Sequence, residues 1–357
     1  MTSAPELVTD PAAVTPGWLT AALRASGVTT DASVVAARRA RIGTGLVGQN
    51  IRFTLTWDRA GRDLPHTVVG KFPSPDAKSR ERGVTGGEYE REVRFYQRLA
   101  SGARISVPRC HLAVYDDATG DFTLLMDDLA PARTGDQLTG CDVAEARYAL
   151  TQAAALHAAY WDDRSLDTLP YLRRAHEGPE LLGAFLAEVW PVFRERYRDA
   201  LPPGGAALGA RFVAAATEWA AARTGPLCLA HGDFRVDNMM FTGTGVTVVD
   251  WQTIQQSAAV HDVAYFIGAS LPPEVRRAHE DGLLRGYHEA LRRCGVTDYP
   301  WPRLRADYLH AVFAGVVMAT AASMLVGTDA RGERMFATMI NRHLTHALDL
   351  GAADVLP

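Results

Sequence analysis

His231, Asp233, Arg235, Asn238 and Asp250 are the residues whose types and spacing could carry chemistry in this chain. They stand in Leu229-Ala230-His231-Gly232-Asp233-Phe234-Arg235-Val236-Asp237-Asn238-Met239-Met240-Phe241 and in the later Val246-Thr247-Val248-Val249-Asp250-Trp251-Gln252. An Asp two places after a His can take the proton of an attacking hydroxyl. The Asn further on and the second Asp offer amide and carboxylate oxygens, which suit a hard divalent cation. A proton acceptor with two oxygen ligands is the equipment of phosphoryl transfer. Arg235, just past the first Asp, is placed to neutralise phosphate charge. His231 reads as a brace for the loop. An Asp-rich solvated turn with capping carboxylates fits the same residues, so the context has to decide.

The elements that must position these groups are legible around them. Residues 227–230 and 246–249 are short apolar runs suited to buried strands. A turn with Gly243 and Gly245 at its tip is expected to pair the two runs and so bring Asn238 and Asp250 together. Asp262, in His261-Asp262-Val263-Ala264-Tyr265-Phe266, either hydrogen-bonds the catalytic-loop backbone or caps the next helix.

Upstream, Thr15 and Pro16 form a helix start. Residues 33–42 read as a strand, followed by Gly43-Thr44-Gly45-Leu46-Val47-Gly48, a G-x-G-x-x-G. Residues 50–57 alternate and are β-prone, which gives strand, Gly-rich loop, strand rather than a loop opening into a helix. Such a hairpin can fold over phosphates, or be an ordinary hairpin with glycines at positive φ. Residues 66–72 form a third strand carrying Lys71 near its end, and residues 73–83 read as polar, basic and mobile. Thr85-Gly86-Gly87-Glu88 has the capping-box pattern, with a helix from Tyr89 to about Ala100. With Glu88 engaged in the cap, Glu92 is the expected partner of Lys71, because a buried ammonium needs a counter-charge. Residues 111–115 and 122–126 make a hairpin running into Asp127-Asp128-Leu129-Ala130-Pro131, and the domain boundary is placed near Leu129.

In the second half, residues 142–160, 180–197 and 209–222 read as helices, and residues 272–350 as largely helical. His157 reads as a core or capping histidine. Residues 311–327 carry no charge, but their small residues and length favour a buried helix over a membrane span. Of 357 residues, 47% are hydrophobic and 22% charged, enough for a full core in one large or two medium domains. The net charge of −4 gives no electrostatic case for nucleic acid or an anionic membrane. Four scattered cysteines and an N-terminus without a signal-peptide pattern point to a reducing cytoplasm.

With these motifs in hand, the chain resembles the aminoglycoside phosphotransferase superfamily of small-molecule kinases, in particular the branch similar to ecdysteroid-type kinases. The resemblance rests on Glu92-Val93-Arg94-Phe95-Tyr96, residues 124–129, 156–161 and 231–240, Asp250-Trp251 and Asp262-Val263-Ala264. It implies an α+β, two-lobed protein-kinase-like fold. Residues 1–129 would form a nucleotide-binding lobe of antiparallel sheet plus one key helix. Residues 130–357 would form a mainly helical catalytic lobe. It further implies ATP as donor, held by Gly43, Gly45, Gly48, Lys71, Glu92 and the Asp127–Leu129 backbone, and Mg²⁺ at Asn238 and Asp250. Asp233 would be the base, Arg235 the neighbour of the γ-phosphate, and a hydroxylated small molecule the acceptor. Asp250-Trp251-Gln252 departs from Asp-Phe-Gly, and no Ala-Pro-Glu follows, so an activation loop has no room. Residues 160–197 mix acidic and basic side chains, which favours a hydroxylated metabolite and leaves aminoglycosides open. A nucleotide-binding regulator without turnover is the alternative function.

Overall fold

The computed structural model describes residues 5–43, 47–174, 178–222, 225–325, 327 and 329–356. Its contacts divide it into two compact units. The first comprises Met1–Gly102, Val107–Pro131 and Val249–Thr253. It opens with α1 (Pro16–Ala25), where the Thr15 hydroxyl accepts the Trp18 N–H at 3.1 Å, as the Thr-Pro start predicts. Then come β1 (Val34–Ile42), β2 (Gly48–Trp57), β3 (Thr67–Pro73), α2 (Ala77–Thr85), α3 (Glu88–Arg94), β4 (Cys110–Tyr115) and β5 (Phe122–Asp127). The strands form one antiparallel sheet in the order β1-β2-β3-β5-β4. The alternation in β2 explains its place: Ile51, Phe53 and Leu55 are buried and pack with Leu19 and Leu23 of α1. A second cluster joins Tyr89 and Val93 of α3 to Phe122, Leu124 and Met126 of β5.

Two sequence expectations fail in this unit. Residues 73–83 are not an irregular stretch. Asp76 accepts the Ser79 N–H at 2.8 Å and starts α2, a local cap that its polar, basic composition concealed. Nor does Thr85 cap the following helix. It ends α2, its hydroxyl bonding back to Glu81 O at 2.9 Å, and Gly87 at φ +66° begins α3 without a side-chain cap. The helix continues beyond Arg94 as a π-helical turn, Phe95–Leu99.

The second unit comprises Ala103–Ser106, Ala132–Val248 and Ile254–Pro357. Its elements are β6 (Arg133–Thr134), α4 (Val143–Ala159), β7 (Arg173–Arg174), α5 (Pro179–Arg196), α6 (Gly205–Ala214), α7 (Ala216–Ala221), β8 (Leu227–Ala230), β9 (Met239–Thr242) and β10 (Gly245–Val248). There follow β11 (Gln255–Ala258), α8 (Val260–Ser270), α9 (Pro273–Arg293), α10 (Trp301–Ala311), α11 (Ala314–Leu325) and α12 (Ala330–Asp349). Asp142 and Glu145 close a capping box on α4. The helix expected over residues 209–222 is broken at Ala215 into α6 and α7.

The strand pairing corrects the expected hairpin. β8 does not pair with β10; it pairs with β11, in a sheet ordered β7-β11-β8. β10 pairs with β9 across the short turn at Gly243 and Thr244, and β9 with β6. A tight hairpin needs a short connection, and the loop after β8 is too long to provide one. Trp301–Leu325 is long and apolar enough to cross a membrane by length and composition, but it is divided into α10 and α11, and 56% of its most apolar window is buried. The molecule is thus an α+β protein with a five-stranded antiparallel sheet and a mainly helical remainder, as the sequence implies.

Candidate active site

In the first unit the candidate groups converge on Lys71. Its Nζ lies 2.6 Å from Glu92 Oε2 and 2.8 Å from Asp250 Oδ1. β3 fixes the lysine and α3 the glutamate, and both are buried. Burial works against the ammonium charge, but Asp250 and Glu92 outweigh it and raise the Lys71 pKa. Burial, with Asp250 nearby, pushes the Glu92 carboxyl up despite Lys71. Glu88 is not in a cap; it meets Arg82 at 3.4 Å. The pairing of Lys71 with Glu92 is therefore as expected, although the reason for passing over Glu88 was wrong. Asp250 adopts φ +67°, a left-handed conformation rare for a residue with a side chain. The residues after it are fastened to α3 and its π-helical continuation: Trp251 stacks on Phe95 at 3.9 Å between centroids, and Gln252 O accepts Arg91 Nε at 2.9 Å.

Gly48 begins β2 opposite Pro73. A Cβ there would lie 3.1 Å from Phe72 O, a tight approach that glycine avoids, and in ordinary contact with the Lys71 side chain. Gly43, at φ +70°, ends the preceding strand; Gly45 lies outside the described residues. Asp127 donates its N–H to Arg109 O at 2.9 Å, and its carboxylate meets His111 Nε2 at 2.7 Å. Among the described residues no group pairs with the Leu129 backbone.

In the second unit the candidate groups converge on Asp233. Arg235 Nε sits 3.0 and 3.1 Å from its two carboxylate oxygens; Asn238 Nδ2 donates to Oδ2 at 2.9 Å and the Tyr265 hydroxyl to Oδ1 at 2.8 Å. Burial alone would raise this carboxyl, but Arg235, Tyr265, His231 and Asn238 hold it below the ordinary carboxylate value. Arg235 is itself pinned by Asp237, 2.6 Å from Nη1. The turn is held from Asp262, whose carboxylate accepts the His231 N–H at 2.7 Å and the Gly232 N–H at 3.0 Å. Asp262 thus braces the loop, the first of its two expected roles. Gly232 stands at φ +83°, which a side chain would strain. His231 is buried and accepts the Asp233 N–H on Nδ1 at 3.3 Å, so it too is a brace. His157 is the expected core histidine, tied to Tyr287 at 2.8 Å and Asp262 at 3.3 Å.

The two side chains expected to hold a divalent cation differ in what they leave open. Asn238 directs its amide nitrogen at Asp233, on O at 2.8 Å as well as Oδ2, which leaves its carbonyl oxygen as donor. The Asp250 side chain is 32% exposed, and only its Oδ1 is engaged among the described residues. Among the described residues no group of three His, Cys, Asp or Glu could hold a metal alone. Each side chain, taken by itself, offers an oxygen of the kind a hard divalent cation accepts.

The chain matches the phosphotransferase enzyme family (APH) over residues 63–304. It belongs to that family. The matched span of this phosphotransferase includes Lys71, Glu92, Asp233, Asn238, Asp250 and Asp262, and starts after the Gly-rich segment. No curated protein matches it. Among solved structures it is similar to a Ralstonia eutropha JMP134 protein provisionally assigned as an aminoglycoside phosphotransferase, at 18% identity and TM-score 0.53, over 94% of this chain and 97% of that one. It is also similar to choline kinase from Cryptosporidium parvum Iowa II, at 11% identity and TM-score 0.53, over 88% and 89% of the chains. The gentamicin complex of APH(2")-IIa gives 15% identity and TM-score 0.51, over 87% and 91%. At such identities these likenesses show the fold.

Sequence reasoning missed Tyr265 and Asp237. Tyr265 lies mid-helix in an apolar run, where an aromatic reads as core. Asp237 stands between Arg235 and Asn238, where a carboxylate reads as a solvated turn residue. Only folding shows that both reach the Asp233–Arg235 pair.

Proposed function

We propose that this phosphotransferase moves the γ-phosphate of ATP to a hydroxyl of a small molecule, with Mg²⁺ as the resident cation. The observation that carries the reading is the Asp233 carboxylate, kept ionised and oriented by Arg235, Asn238 and Tyr265 on a turn anchored by Asp262. Asp233 takes the acceptor's proton as that oxygen attacks the γ-phosphorus; the bond to the β–γ bridging oxygen breaks and ADP leaves. Arg235 neutralises γ-phosphate charge. Lys71, aimed by Glu92, pairs with the α- and β-phosphates. Gly43, Gly45 and Gly48 cover the phosphates, and the Asp127–Leu129 backbone reads the base edge, with the unpaired Leu129 N–H as a donor. Bound at Asn238 and Asp250, Mg²⁺ would offset charge on the phosphate oxygens. Residues 1–129 supply nucleotide groups and residues 130–357 the base and acceptor groups. Positioning and charge stabilisation supply most of the rate.

The acceptor in this reading is a hydroxylated metabolite rather than a polycation. Several carboxylates of the helical unit are already engaged, Glu333 by Arg196 and Tyr197, Glu195 by Arg198, and Asp167 by Arg164 and Gln256. Aminoglycosides remain in the panel that tests this, and the ecdysteroid-type branch is the kinship we favour. The four cysteines are free, which suits a cytoplasmic enzyme. The test is an ADP-release screen with Mg·ATP against sterols, nucleosides, sugars and aminoglycosides, with ³¹P NMR of any product. A phosphate monoester of one acceptor class supports the reading. Mg·ATP binding with no transfer to any class would favour a nucleotide-binding regulator.

A further inference from the structure

The β2–β3 ladder of the first unit ends close to Lys71. β2 and β3 pair as far as Gly48 opposite Pro73, and their register ends there, just short of Val47 and Ser74. There the Tyr89 hydroxyl, from α3, stands between the two backbones. It accepts the Ser74 N–H at 3.0 Å and donates to Val47 O at 2.5 Å. The tyrosine is 1% exposed, and its ring packs on Phe122 at 4.5 Å between centroids. Gly83 of α2 makes room for it: a Cβ there would lie 2.4 Å from Tyr89 Cζ. The same short helix carries Glu92, one turn on, against Lys71. One hydroxyl therefore joins the residue where the chain re-enters the sheet after the Gly-rich segment, the exit of the lysine strand, and the helix that aims the lysine.

We propose that Tyr89 is a positioning residue for nucleotide phosphates, its hydroxyl holding Val47 and Ser74 to α3 so that the start of β2, Lys71 and Glu92 act as one rigid set. This rests on the nucleotide reading given above. Without the hydroxyl, Ser74 N–H and Val47 O lose their common partner, and Val47 is free to move relative to Lys71. The groups facing phosphate loosen, while those facing the base edge, at Asp127–Leu129, stay as they are.

The experiment is a pair of titrations on the full chain, wild type and Tyr89→Phe. Mg·ATP is followed by calorimetry and adenosine by ligand-observed NMR, with the melting temperature checked for both proteins. The variant keeps the ring and its packing and removes one oxygen. Losing two buried hydrogen bonds at the phosphate end should weaken Mg·ATP roughly five- to tenfold and leave adenosine affinity unchanged. Equal Mg·ATP affinity in the two proteins overturns the proposal, as does equal weakening of both ligands, which would mark general loosening. Wild-type protein that binds adenosine and Mg·ATP equally weakly overturns the nucleotide reading itself, and the proposal with it.

Discussion

Lys71, Glu92 and Asp250 form a trio of one cation and two anions, with the first two buried. Removing the cation leaves the buried Glu92 carboxylate without its counter-charge and facing the part-exposed Asp250. Lys71→Met is therefore expected to cost about 3 kcal/mol of stability, measured by urea unfolding. Adding Glu92→Gln should recover part of that loss, because it removes the buried unpaired carboxylate. Two losses that simply add would show that the pair is not coupled. The lysine and its partner were legible because a lone lysine in an apolar strand needs a counter-charge from a nearby helix. Tyr265 was not legible, since no local pattern relates it to an Asp far upstream.

At the scale of elements, the catalytic turn depends on α8. Asp262 in its first turn accepts two loop N–H groups and meets His157 in a buried setting. Asp262→Ala leaves those donors unsatisfied and should lower stability by about 3 kcal/mol, with a loss of transfer even at temperatures where the variant is folded. Conversely, wild-type turnover in a folded Asp262→Ala protein would show that the loop does not need this anchor. Elements with strong local signals were readable: the Thr15 cap, the helix over residues 142–160, the alternation of β2, the β4–β5 hairpin. The error at β8 has a physical cause. Period and composition identify a strand but not its partner, and β11, with Gln255, Gln256 and Ser257, lacks the apolar pattern that would have announced it. The end of α2 was misread because a Thr-x-x-Glu pattern looks the same whether it closes one helix or opens the next.

For the whole molecule, buried titratable groups set the acid limit. His343 is buried against the Gly268 and Gly315 backbones, and burial, with His346 and Arg342 nearby, lowers its pKa from 6.5 to about 3. His261 is lowered to about 4, by burial and His310. Below 6.5 the unfolded chain binds protons that the folded chain refuses, so stability declines as pH falls. The His343 contribution alone has a slope of about 1.4 kcal/mol per pH unit in that window. Glu280 acts in the same direction lower down: burial raises it, but His346 and Arg276 outweigh this and hold it at about 2 against 4.5, so its contribution goes as pH falls below 4.5. Urea unfolding in a pH series should therefore show a plateau near neutrality and a steady decline below 6.5, whereas constant stability down to pH 4 would contradict this assignment.

The central claim is that Asp233 takes the acceptor's proton, and Asp233→Asn tests it most directly because asparagine keeps the shape and removes the base. The measurement is phosphate transfer to whichever acceptor the screen identifies, alongside Mg·ATP affinity and melting temperature of the same preparation. The expected result is a folded variant that still binds Mg·ATP and transfers phosphate roughly 10²- to 10⁴-fold more slowly. A folded Asp233→Asn protein turning over at the wild-type rate would contradict the account.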